Sequence, residues 1–191
     1  CLVTPSATHI SSSCDIQGSE KGSVQMNMNV KTGQLAALLL FLPCSIVAGP
    51  LHAQCKLEWR FGITCYDVYI ALVTQIKQWT SIDTCQQGGE RCLYELQSAD
   101  PHYIVAKHTS RAHNYVDDLS FKLQSYGRRL TCYVTAFSVS EPWYIVLDNG
   151  INYCNLHNLV DGSGLTQVPK YSESTNDFKC TQYSKANCTV Y

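Results

Sequence analysis

The sequence predicts an α+β domain: an N-terminal helix packed on a four-stranded antiparallel sheet, stapled by disulfides and followed by an irregular C-terminal tail. Three observations carry that expectation. Residues 65–80 repeat apolar side chains at helical spacing. Residues 92–140 form four runs of alternating side chains joined by short turn sequences. The cysteines that follow an apolar leader number eight, an even set that can close into bridges.

The apolar leader sets the compartment. Leu35–Val47 is an apolar run preceded by Met26, Met28 and Lys31 and followed by small residues up to Ala53. It is shorter than the roughly 20 residues a membrane span needs, and it contains Pro43. We read 26–53 as a signal peptide cleaved near Ala53, which leaves no stable membrane span afterwards. Residues 1–25 are polar and Ser-rich and precede the first methionine, so they read as upstream or fragment sequence. Residues 54–191 then form a single extracellular, disulfide-rich domain. Of eleven cysteines, Cys55, Cys65, Cys85, Cys92, Cys132, Cys154, Cys180 and Cys188 remain after the cut. Their roughly one hundred possible pairings stay open.

Charge excludes one class of function. The chain has 14 Lys plus Arg against 15 Asp plus Glu, a net charge of −1. Nucleic-acid binding draws on a cationic footprint that releases phosphate counterions, and only Arg128-Arg129 are adjacent. No nucleic-acid partner is expected.

The elements follow in order. Leu57, Trp59, Phe61 and Ile63 alternate with polar residues, as in a short strand or extended arm. Thr64 and Asp67 give a capping-box-like start to a helix over about Cys65–Thr80, with Val68, Leu72, Ile76 and Trp79 on one face. Cys85–Cys92 is a loop turning at Gly88-Gly89; its spacing is too wide for a zinc knuckle. Leu93–Leu96, His102–Thr109, Tyr115–Gln124 and Leu130–Ser140 are the four strands of an antiparallel meander, with Asp100-Pro101 as one turn and residues 125–129 as another. Pro142 ends the last strand. Gly150–Val160 carries apolar residues at roughly helical spacing and stops at Gly162. Gly164–Tyr191 has little periodicity.

Candidate chemistry is sparse. Tyr115-Val116-Asp117-Asp118 matches the catalytic tetrad of reverse transcriptases over four residues, but the rest of the chain offers no template channel. Adjacent strand residues also point to opposite faces, so Asp117 and Asp118 are not automatically a dyad. His102 and His108 would sit about 20 Å apart on a regular strand, at about 3.3 Å per residue, too far to share a metal. Cys154 and His157 are close in sequence, but an even cysteine count favours bridging over a free nucleophile. No phosphate loop, dinucleotide fingerprint or metal motif is present, so no cofactor, metal or catalytic set is assigned. Asn187-Cys188-Thr189 fits the N-glycosylation acceptor pattern. All twelve tyrosines and all three tryptophans lie after the leader. Tyr133, Trp143, Tyr144 and Tyr153 are candidates to line a ligand site, because such rings combine apolar area with a hydrogen-bonding tip.

Tyr115–Phe121, Trp143-Tyr144 and Asn152–Leu159 resemble segments of small secreted cysteine-rich proteins of fish and marine invertebrates, a likeness spanning most of Cys55–Tyr191. That resemblance implies secretion and supplies no activity. The expected function is a secreted, non-enzymatic binding module for a small apolar ligand or an extracellular protein surface. The alternative is a secreted hydrolase using Asp117 or Asp118 with His157. A membrane-active toxin lacks the amphipathic cationic helix it would need.

Overall fold

In the computed structural model the described residues are 51–85, 89–127 and 130–191. The upstream segment 1–25, the leader through residue 50, Gly88 and Arg128-Arg129 lie outside them. The elements run β1 (Gln54–Phe61), α1 (Cys65–Gln78), β2 (Tyr94–Asp100), β3 (Tyr103–Thr109), β4 (Val116–Tyr126), β5 (Thr131–Ser140), α2 (Ile151–Gly162) and β6 (Ser172–Ser174). Together they form a six-stranded sheet in the order β2-β3-β4-β5-β1-β6, with every pairing antiparallel.

This corrects the expectation of one N-terminal helix on four strands. The protein is mainly antiparallel sheet with two helices, and each helix follows a strand. β1 precedes α1 and pairs along its whole length with β5, from Gln54 opposite Val139 to Phe61 opposite Cys132. Its alternation is visible in the sequence, but its partner lies far along the chain, and no local pattern specifies such a pairing. β6 is only three residues long and too short to show a period. The C-terminal tail that looked irregular supplies that strand and two short 3₁₀ turns, Leu165–Gln167 and Tyr183–Lys185. It docks on β1 through the Cys55–Cys180 disulfide and through Thr181 N–H donating to the Gln54 carbonyl.

The sheet has one covered face. Leu57, Trp59 and Phe61 of β1, Ile104 and Ala106 of β3, Leu119, Phe121 and Leu123 of β4, and Val134 and Ala136 of β5 all point inward and are fully buried. α1 brings Val68, Leu72 and Ile76 onto this face, and α2 brings Leu156, Leu159 and Val160. At about 1.5–3 kcal/mol per large buried side chain, this core dominates the stability. α1 starts at Thr64, whose hydroxyl accepts from the Asp67 N–H at 3.1 Å and donates to the Asp67 carboxylate at 2.7 Å. The first of these bonds satisfies a backbone donor that a helix N-terminus leaves unpaired, and the second orients the hydroxyl that accepts it.

All eight cysteines are bridged: Cys55–Cys180, Cys65–Cys132, Cys85–Cys92 and Cys154–Cys188. The chain is therefore disulfide-rich, and such a set persists in an oxidising compartment. Among the described residues no helix is long and apolar enough to cross a membrane.

Candidate functional site

The core turns polar at one end of the sheet. The strand register lines up Tyr94 with His108, His108 with Asp117, and Asp117 with Ser140. These four side chains face inward in a row across β2, β3, β4 and β5, and all are essentially inaccessible. α2 covers the row with asparagines. Asn152, Asn155 and Asn158 are buried at helical spacing where a core helix would ordinarily place apolar residues.

The hydrogen bonds form one connected network. Asn155 Nδ2 donates to Asp117 Oδ2 at 2.7 Å, and Ser140 also bonds to Asp117. Asn152 Nδ2 donates to Ser140 Oγ and to Asp148 Oδ2, both at 2.9 Å. Ser138 donates its hydroxyl to Asn152 Oδ1. The Tyr94 hydroxyl donates to the Asn155 carbonyl at 2.9 Å. Asp148 precedes α2 and accepts from the Asn152 N–H at 2.9 Å and the Gly150 N–H at 3.1 Å, so it caps the helix while joining the network. His108 stands outside this network: its Nε2 meets the Glu90 carbonyl at 3.0 Å, and its Nδ1 has no hydrogen-bond partner among the described residues.

Burial shifts the ionisable members. Loss of water pushes the Asp117 carboxyl up to about 6, although hydrogen bonds from Ser140 and Asn155 oppose the shift; the nearby Asp148 charge adds to it. Asp148 is also raised by burial, against its hydrogen bonds from Asn152 and Gly150. Burial brings His108 down to about 4, so its imidazole is neutral at physiological pH. Among the described residues neither Asp117 nor Asp148 has a salt-bridge partner.

The network opens into a cavity of about 220 Å³. Asp117, Ser140 and Asp148 reach it from the network, and Ser110 lines it from the β3–β4 turn. That turn is closed by the Ser110 N–H donating to the Tyr115 carbonyl and by Asn114 in the left-handed region at φ 54°. The Ser110 hydroxyl is buried and has no hydrogen-bond partner. An orphaned buried polar atom costs about 1–3 kcal/mol. Ile145, Leu147 and Ile151 form an apolar wall, and Tyr115, stacked on His113 at 5.4 Å, stands at the rim. The wall is fixed where Ala53 N–H donates to the Ile145 carbonyl.

The residues singled out from sequence fall elsewhere. Tyr133 lies on the outer face of β5, packed against Tyr126 beside a shallow cleft of about 630 Å³. Trp143 and Tyr144 contact each other edge-on in the loop after β5 and are largely exposed. Tyr153 on α2 donates to Glu173 at 2.9 Å. The four rings therefore have three different sets of neighbours and line no common pocket. Asn187 is exposed, and its side-chain oxygen accepts from the Thr189 hydroxyl at 2.6 Å.

The hydrolase residues also part company. Asp117 bonds Asn155 inside the network, whereas Asp118 pairs with Lys107 on the opposite face of the sheet at 2.8 Å. Lys107 also pairs with Glu141. His157 meets Tyr153 at 3.2 Å and Glu173 at 3.3 Å. Glu173 of β6 also accepts from Trp59 Nε1 at 2.8 Å and the Tyr171 hydroxyl at 3.2 Å. Burial works against that carboxylate, but the hydrogen bonds from His157, Trp59 and Tyr153 prevail and hold it below its ordinary value. This cluster fastens β6 to β1 and α2, and no cavity among those described opens onto Glu173. No group of three or more His, Cys, Asp and Glu side chains among the described residues could hold a metal ion.

Sequence reasoning passed over Ser110, Ser140, Asp148 and the buried asparagines. The available signal was Asn152-x-x-Asn155-x-x-Asn158, three amides at helical spacing between apolar residues. No protein-family model matches the chain, and no curated protein sequence matches it.

Proposed function

We propose that this chain is a secreted binding protein that takes a small ligand into the cavity formed by Ser110, Asp117, Ser140, Asp148 and the Ile145–Ile151 wall. The observation that carries this reading is the orphaned Ser110 hydroxyl beside a buried carboxylate network at the floor of an open cavity. A core gains nothing from an unmatched hydroxyl and two desolvated acids, so a site that needs them accounts for their presence. The apolar wall supplies contact area, and the polar floor supplies orientation. Secretion rests on the apolar leader together with the four bridges. Asn187, exposed beside its threonine, serves as a glycan acceptor in that setting. A hydrolytic role gains no support, because Asp117, Asp118 and His157 each serve a different set of contacts.

Native mass spectrometry of the protein purified from the medium of secreting cells tests this. The expected result is a non-covalent adduct, displaced in Ile151→Trp, which fills the cavity from its wall. An adduct retained in that variant would move the site elsewhere, for instance to the Tyr126–Tyr133 cleft. No adduct from medium rich in small metabolites would defeat the binding reading.

A further inference from the structure

We infer that the cavity selects a small protonated amine, with its ammonium head on Asp117 beside Ser110 and its short apolar body against Ile145, Leu147 and Ile151. This rests on the binding reading above and names the ligand class for the same site.

Charge favours a cationic guest. Asp117 and Asp148 are 2% and 6% exposed, and both lie on the cavity. No basic side chain among the described residues forms an ion pair with either. A buried carboxylate without a counter-charge is costly, and a cationic guest supplies one. An anionic guest would add a further negative charge beside Asp117.

The hydrogen-bonding groups of the cavity favour the same guest. An ammonium group has three donors and no acceptor. The cavity presents acceptors at Asp117, Ser110 and Ser140, and the Ser110 hydroxyl has no other partner. A purely apolar guest would leave that hydroxyl unmatched.

The donor set also disfavours calcium, which takes about six to eight oxygens. Asp148 already accepts from the Gly150 N–H, the Asn152 N–H and Asn152 Nδ2, and Asp117 Oδ2 accepts from Asn155. Too few free oxygens remain. A volume of about 220 Å³ equals about seven water molecules in bulk liquid, room for a guest of about seven to ten non-hydrogen atoms. Tyr115 at the rim adds an aromatic face, to which a cation is attracted.

Calorimetry and amide NMR on the secreted, disulfide-intact protein at about pH 7.5, above the value to which burial raises Asp117, separate the possibilities. The probes are phenethylammonium, its neutral isostere 2-phenylethanol, phenylacetate, calcium, and Nα-acetyl-lysine amide as a stand-in for a protein's lysine. Phenethylammonium should bind at least about tenfold more tightly than 2-phenylethanol, the size of one charge-assisted hydrogen bond, and should shift Ser110, Asp117 and Ile151. Asp117→Asn should reduce that preference to about twofold or less while its far-ultraviolet spectrum stays unchanged. Ser110→Ala, which leaves the carboxylates in place, should weaken the amine several-fold. Equal binding of 2-phenylethanol and the amine would overturn the inference and leave the binding reading standing. Tighter binding of calcium or of the blocked lysine would overturn it in favour of a metal or a protein partner. If no probe moves the cavity resonances, both readings fall.

Discussion

Asp117→Asn gives the sharpest test of whether the polar end of the core is held at a cost to stability. In the unfolded chain this carboxyl titrates near 3.8, and in the folded protein near 6. The folded state therefore binds more protons than the unfolded state between those values, so stability falls as pH rises through this window and stays lower above it. The gap corresponds to about 3 kcal/mol of destabilisation at pH 8, fully relieved only below the unfolded value. Asparagine does not ionise and escapes this cost. The variant should be about 3 kcal/mol more stable than wild type at pH 8 and about equally stable at about pH 3.5. Urea unfolding at both pH values, followed by the fluorescence of the buried Trp59, reads this directly. A gain of that size moves the midpoint up by at least about 1 M. Equal destabilisation at both pH values would refute the reasoning, because Asp117 would then be a well-satisfied structural acceptor.

Other perturbations probe the fold around the site. Gly150→Ala places a methyl group 2.7 Å from the Ala186 Cα at a backbone φ of 78°. It should cost about 3 kcal/mol or more, against about 1 kcal/mol for Gly127→Ala, which shares the positive φ but has open space around it; thermal melts of the two compare directly. Glu173→Gln should cost about 2 kcal/mol at pH 7, where the carboxylate holds Trp59, Tyr153 and Tyr171. Because that carboxyl lies below its ordinary value in the fold, its contribution is present above the unfolded value and is lost as pH falls; acid titration should show the wild type converging on the variant. Replacing Cys154 and Cys188 together by alanine opens a loop of 34 residues and should lower stability by about 3–4 kcal/mol in denaturant melts, with the tail beyond Lys185 becoming protease-sensitive first.

Several features were legible in the residues alone. The face of α1 follows from the spacing of Val68, Leu72 and Ile76, and its start follows from Thr64 and Asp67, because caps and periodicity act within a few residues. The inward set Leu119, Phe121 and Leu123 follows from a period of two. The even cysteine number foretold closed bridges, since bridge formation consumes thiols in pairs. Opposite faces for Asp117 and Asp118 followed from the same period, though not which of them would be inside.

The rest depended on contacts between distant segments. β1 joined the sheet beside β5 because its Leu57-Trp59-Phe61 face could be buried only between strands that lie far along the chain. Four bridges were selected from many by the register of strands and the docking of the tail. Asp117 became a buried carboxylate beside a cavity because the register set it between His108 and Ser140, and because α2 lowered Asn152 and Asn155 onto that row. Chain-local forces set periodicity and capping, whereas burial and counter-charge are properties of a three-dimensional neighbourhood. An aspartate next to an aspartate therefore reads as polar surface until the fold removes water from one of them.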